Sequence, residues 1–99
     1  MSTDLTNQIA EEKAVLITVS TPNMEFDRTM EYLDELAFLI ETAGGIPTQR
    51  FIQNLQRPDS KFYVGSGKIK EIKSHIDENN IDIAVFDDEL SPSQIRNIE

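Results

Sequence analysis

Cysteine is absent from the 99 residues, so neither disulfides nor thiolate metal sites are available, and a reducing cytoplasm is the expected compartment. No apolar run approaches the roughly 18 to 20 residues of a membrane-spanning helix, and Met1 to Glu12 is polar and acidic, unlike a secretory signal. Histidine occurs once, at His75, with no serine, cysteine or second histidine spaced for a triad or a metal site; it is expected to face solvent from a helix. Neither repeats nor low-complexity segments occur. Basic residues are scarce, 9 against 18 acids for a formal charge of -9, and affinity for phosphate backbones grows with the number of Lys and Arg contacts. Generic nucleic-acid binding is therefore disfavoured. A chain of this length makes one small domain that buries about two thirds of its unfolded surface and leaves no room for a large internal cavity.

What is present is unevenly placed. Between Arg50 and Lys73 six basic residues stand against two acids, a local charge of +4 that leaves the rest of the chain at -13. One basic edge can then meet phosphate while the acidic remainder discourages sliding on polyanions; the alternative is an ordinary solvated surface. Inside this third lies Phe62-Tyr63-Val64-Gly65-Ser66-Gly67-Lys68, two glycines and a lysine where an apolar run turns into an amphipathic helix. A helix start offers unpaired N–H groups and about half a positive charge, and glycine lets an anion approach. The motif is not a nucleotide-hydrolase P-loop. Phe62 stands where that loop has its first glycine, four residues intervening before the Gly-Lys pair, and Ile69 stands where it has the Ser or Thr that holds magnesium. A purely structural turn, a contact with RNA phosphate and a contact with a free nucleotide all remain compatible with it.

The first twelve residues lack periodicity and read as a loose tail, with one domain over 13–99. Ala14 to Val19 is a β-rich apolar run of the kind buried on both faces as a central parallel strand. Phe26, Met30, Leu33, Ala37 and Ile40 recur at helical spacing until Gly44-Gly45. Ile46 to Gln56 is extended but interleaves polar residues, which places it at a sheet edge. A second helix carries Ile69, Ile72 and Ile76 to Asn79-Asn80; Ile83 to Phe86 follows as a second buried strand; and Ser91-Pro92-Ser93-Gln94 is a capping box with proline at the first helical position. The β-α-β-α-β alternation with right-handed crossovers predicts an α/β fold, a small open parallel sheet of order 2-1-3 with helices on both faces. The third helix breaks off at Glu99, so a fourth strand is expected to be missing beside Ile83 to Phe86. The exposed edge then predicts an edge-paired dimer or exchange of the Ser91 helix.

Asp87-Asp88-Glu89 after an apolar strand can hold magnesium in nucleotide hydrolases, but acids there also bend the chain and favour the next helix start, and the structural role is preferred. A phospho-acceptor receiver would need acids after its first strand, where this chain has Ser20-Thr21-Pro22. Phe62 and Tyr63 beside Arg57, Lys61 and Lys68 combine stacking planes with cations, which suits unpaired RNA bases, although core packing of these rings is equally open.

The Phe62 to Lys68 turn, the apolar strand into Asp87 to Gln94, and the closing Arg96-Asn97-Ile98-Glu99 together resemble the N-terminal domain of the HflX family of GTPases, from about Lys13 to Glu99. The Leu-Ser-Pro-x-Gln-x-Arg-Asn stretch, Leu90 to Asn97, carries most of that resemblance. It implies a domain that precedes a helical segment and a GTPase domain in a protein that binds the large ribosomal subunit and splits stalled ribosomes. By the same resemblance the chain has no catalytic residues of its own and does not hydrolyse GTP; GTP and magnesium belong to the absent GTPase domain, and that domain and the large subunit are the expected partners. The family's glycine-lysine loop falls on Gly65, Gly67 and Lys68. Arg57, Lys61 and Tyr63 are added from charge and stacking, completing a candidate phosphate or RNA contact; no metal ligand is proposed.

Overall fold

The computed structural model describes residues 12–23, 25–88 and 90–98. The expected loose tail over 1–12 lies, apart from Glu12, outside the described residues. Strand β1, Lys13–Ser20, is the β-branched run, and every residue from Ala14 to Ser20 is buried. On one side it pairs in parallel with β2, Ile46–Asn54, from Lys13 opposite Ile46 to Ser20 opposite Asn54, with one register shift between Ala14 and Val15. On the other side it pairs in parallel with β3, Ile83–Phe86, from Ala14 opposite Ile83 to Ile17 opposite Phe86. The order is β2-β1-β3, as the alternation of elements requires.

Because side chains alternate across a strand, β1 feeds two cores. Val15, Ile17 and Val19 meet Phe51, Tyr63 and Val64 together with Ile69 and Ile72 of helix α2, Ser66–Asn79. Leu16 turns to the opposite face and meets Leu33 and Ala37 of helix α1, Phe26–Thr42. The two long helices thus cover opposite faces. α1 ends at Gly44, whose φ of 93° is a conformation that side chains rarely adopt, with its N–H on the Glu41 carbonyl at 2.9 Å. α2 ends at Asn80 in the left-handed conformation, its N–H on the Ile76 carbonyl.

Helix α3, Pro92–Ile98, opens on a complete capping box. The Ser91 N–H donates to Gln94 Oε1 at 2.8 Å, and the Gln94 N–H donates to Ser91 Oγ at 3.1 Å. Ile98 packs beside the α2 core, so α3 lies on the same face as α2. One expectation needs correction. Ile83 to Phe86 is not a buried strand: β3 is an edge, Ile83 is 40% exposed, and Ala84 is exposed as well. Its apolar composition suits burial on both sides, but among the described residues β1 is its one bonded neighbour.

Candidate functional site

The segment between β2 and α2 carries the candidate residues, and its shape comes from one carboxylate. Asp59 Oδ1 accepts the backbone N–H groups of Lys61 at 2.8 Å and Phe62 at 3.1 Å, an Asx turn of the kind aspartate favours. Asp59 and Tyr63 exchange both backbone hydrogen bonds, 2.9 and 3.0 Å, and close the loop. The two amides on the carboxylate hold Asp59 below the usual carboxylate range.

Closing that loop sends Tyr63 inward. Its φ is 70°, uncommon for a residue with a side chain, and its ring is 3% exposed, standing edge-on to Phe86 at 5.6 Å between centroids. Burial raises the phenol above its ordinary value, and the nearby Asp88 and Asp87 add to the rise. In this arrangement Tyr63 presents no open face to a stacked base. The neighbouring Phe62 is half-buried, with Lys61 Nζ 5.3 Å from its ring centre.

Gly65 is the residue before α2, and its N–H donates to Gln53 Oε1 of β2 at 2.7 Å. This amide is therefore already engaged. A β-carbon on Gly65 would stand 3.2 Å from Gln53 Nε2, whereas one on Gly67 would meet nothing within 4 Å. A side chain at the first position would press on the end of Gln53, and the second faces open space. No side chain caps the first turn of α2, and Ser66 and Gly67 are exposed. Lys68 Nζ reaches Glu71 Oε2 at 3.0 Å, while Arg57 and Lys61 stand exposed on the loop. Arg50, from the same basic third, pairs with Asp34 of α1 at 2.8 Å. Arg57, Lys61, Gly65, Gly67 and Lys68 thus follow one another along a loop and helix start, and Tyr63 props them from beneath.

Three residues outside the expected set build this loop. Gln94 Nε2 donates to the Asp59 carbonyl at 2.7 Å, Asn97 Nδ2 donates to the Lys61 carbonyl at 3.1 Å, and Gln53 holds Gly65. The motif Leu90 to Asn97 is therefore a clamp as well as a helix start. Its capping box signalled the helix; nothing local to the motif signals that the amides reach 35 and 36 residues back.

Two further positions were weighed in the sequence. Asp87 sits under the end of β1, with the Thr18 hydroxyl donating to Oδ2 at 3.4 Å and its own N–H on the Ile17 carbonyl at 2.9 Å; burial raises its carboxyl above the ordinary value. Among the described residues no group of three or more histidines, aspartates or glutamates is placed to hold a metal ion. His75 does not face solvent. Its ring packs edge-on to Phe51 at 5.4 Å, Nδ1 lies 3.2 Å from the Asn79 amide, and Nε2 is buried without a partner among the described residues.

Comparison with known proteins agrees with the resemblance read from the motifs. The sequence profile of the family described as GTP-binding GTPase N-terminal matches residues 30–99. A relative named GTPase HflX from Flavobacterium psychrophilum is 48% identical over 87 residues, which is 88% of this chain and 21% of its own length. Relatives of the same name from Lacrimispora saccharolytica and Escherichia coli are 45% and 34% identical over 89 and 90 residues, covering 90% and 91% of this chain. The chain spans about a fifth of the length of these curated relatives, 21% and 20% for the last two. With its profile match over most of the sequence and a three-stranded parallel α/β sheet beneath it, the chain belongs to the GTP-binding GTPase N-terminal family.

Proposed function

We propose that this domain is a ribosome-binding and regulatory module of a cytoplasmic GTP-binding protein resembling GTPase HflX, and that it meets the large ribosomal subunit through the loop from Arg57 to Lys61 and the first turn of α2. The observation that supports this reading is the bracing of the loop. Two amides on Asp59 Oδ1 and the Gln94 and Asn97 amides on the Asp59 and Lys61 carbonyls fix its backbone, while Arg57 and Lys61 remain outside. A surface fixed before binding loses less entropy on contact than a mobile one. Cations on such a surface can meet phosphate even on a domain of charge -9: Arg57 and Lys61 stand exposed, while Asp59 is turned onto the loop's own amides and Glu71 pairs with Lys68.

GTP and magnesium are assigned to a GTPase domain of the longer protein. The glycine-lysine turn here lacks both ends of a P-loop, and the Gly65 amide is bonded within the fold. A second reading has the domain regulate by packing on that GTPase domain without touching RNA. It draws on two large apolar side chains exposed among the acids of α1, Phe38 at 67% and Leu39 at 57%. Charge reversal separates the two. Full-length protein carrying Arg57→Glu, Lys61→Glu and Lys68→Glu should lose co-sedimentation with purified large subunits in the presence of a non-hydrolysable GTP analogue. Unchanged co-sedimentation of a folded triple variant refutes the ribosome-facing loop and leaves the regulatory reading.

A further inference from the structure

Beside the basic loop the ends of β1 and β2 form a trough that the ribosome-facing reading does not use. β1 runs into α1 on one face of the sheet and β2 into α2 on the other, so the two connections part and leave a crevice over the carboxyl ends of the strands. Open α/β sheets take their ligands at such ends. The crevice encloses about 620 Å3, and Ser20, Thr21, Phe26, Asn54 and Gln56 are among its walls. That volume lies inside the roughly 300–1,000 Å3 of small-molecule sites. A second depression of about 440 Å3 shares Leu55 and Gln56 with the first and continues to Arg57, Pro58 and Gly65. The shared wall is fixed, since the Leu55 N–H donates to the Ser20 carbonyl at 3.1 Å.

The two halves differ in chemistry. At one end the ring of Phe26 is 62% exposed, so a large aromatic face is left open by the fold, and the Asn54 and Gln56 amides beside it each offer a donor and an acceptor. At the other end stands an exposed guanidinium, Arg57. A planar group with polar edges, joined to an anion, fits both. We propose that the trough takes one unpaired nucleotide, its base against Phe26 with Asn54 and Gln56 at the base edge and its phosphate toward Arg57. The phosphate half rests on the basic loop proposed above; the base half stands on the crevice alone. A paired base has its faces and its edge engaged within the duplex, so the site selects unpaired nucleotides, whether within an RNA strand or free.

The test is a titration of this chain with a six-nucleotide single-stranded RNA, the same RNA as a duplex, and free ATP and GTP, followed by NMR at the side-chain amides of Asn54 and Gln56. Saturable shifts with the single strand or a free nucleotide, and none with the duplex, are the expected result. Tighter binding of the strand identifies RNA as the source, and tighter binding of ATP or GTP a free nucleotide. Stacking on an aromatic residue is worth about 1–3 kcal/mol, so Phe26→Ala should weaken binding about 5- to 150-fold while Phe26→Trp retains it. Because Phe26 is exposed, neither change empties a core. Absence of shifts at millimolar ligand, equal binding of the duplex, or indifference to Phe26→Ala overturns the proposal. Loss of large-subunit binding on Arg57 reversal with no Phe26-dependent nucleotide binding refutes the trough alone. Phe26-dependent binding with large-subunit association indifferent to charge reversal refutes the ribosome-facing loop alone.

Discussion

Replacing Gln94 with alanine removes two bonds made by one side chain that is only 9% exposed. The Ser91 N–H loses its acceptor at 2.8 Å, which undoes half of the capping box, and the Asp59 carbonyl loses a donor at 2.7 Å. A lost cap interaction costs about 1 kcal/mol. The second loss is also about 1 kcal/mol, held down because the Asp59 carbonyl keeps the Tyr63 N–H at 3.0 Å. The sum, about 2 kcal/mol, is a large fraction of the roughly 5–15 kcal/mol that stabilises a domain. Urea unfolding followed by circular dichroism measures it. Two further variants divide the effect. Ser91→Ala removes only the bond from the Gln94 N–H and should cost about 1 kcal/mol. Gln94→Glu keeps an acceptor for Ser91 but sets an oxygen against the Asp59 carbonyl, so it should cost at least as much as the alanine. Amide exchange at Lys61 and Phe62 should accelerate in both Gln94 variants. A Gln94→Ala loss below about 0.5 kcal/mol, or a Gln94→Glu variant milder than Ser91→Ala, would refute the clamp, since each bond carries about 0.5–1.5 kcal/mol.

Tyr63→Ala empties a core position under the loop and should cost about 3–5 kcal/mol by chemical denaturation; a loss under about 1 kcal/mol would mean that the ring is not packed as described. His75→Leu discards a buried Nε2 that has no partner among the described residues while keeping an apolar contact for Phe51, and should leave the chain as stable or up to about 1 kcal/mol more stable. Acid titration of stability should reveal two carboxyls of opposite sign. Asp59 is depressed below 3.8 by the amides it accepts, so its stabilisation is full above that pH and is lost as pH falls through its lower folded value; Asp59→Ala should flatten that acid loss. Asp87 is raised above 3.8 by burial, so its contribution is full below that pH and is lost as pH rises through its higher folded value; Asp87→Asn should remove this fall. The outer edge of β3 should support pairing with a second copy or exchange of α3, read as a concentration-dependent dimer in sedimentation velocity, and a strict monomer at high concentration refutes it.

Features written in consecutive residues were legible in the sequence. The apolar run Ala14 to Val19 announced a strand buried on both sides and Ser91 to Gln94 a capped helix start, and both stand as read; the stripe from Phe26 to Ile40 announced a helix with one buried face, which holds except at Phe26, 62% exposed. From these and the handedness of crossovers the order β2-β1-β3 followed. What escaped depends on contacts between distant residues. Tyr63 could be a stacking plane or a core ring until Asp59 was seen to close the turn and set its φ at 70°. Gln53 and Gly65 are twelve residues apart, and the amides of Gln94 and Asn97 reach back more than thirty. His75 looked polar and isolated on its helix, but α2 turns that position toward Phe51 of the sheet. β3 has the composition of an interior strand, and only the identity of its neighbours decides whether that composition is used.

The same topology resolves the apparent conflict between a charge of -9 and a basic functional surface. The outer face of α1 carries Asp27, Glu31, Asp34, Glu35 and Glu41 against Arg28, and Arg28 lies over the Tyr32 ring at 5.8 Å. The Arg57 to Lys61 loop and Lys68, Lys70 and Lys73 of α2 belong to the opposite face, because α1 and α2 cover opposite sides of β1. Placing α1 and α2 on opposite sides of β1 therefore does more than complete the sheet: it sets the acids of α1 apart from the Arg57 to Lys61 loop, while the three lysines of α2 share their helix with Glu71, Asp77 and Glu78. Screening is strong beyond about 8 Å at physiological salt, so a phosphate at the Arg57 to Lys61 loop feels the loop's own cations far more than the carboxylates of α1. The acids still act on the approach, where they repel a polyanion from every orientation except the one that presents the basic face. Net charge in such a domain reports how it is oriented during encounter, and the local charge at the loop reports what it can hold.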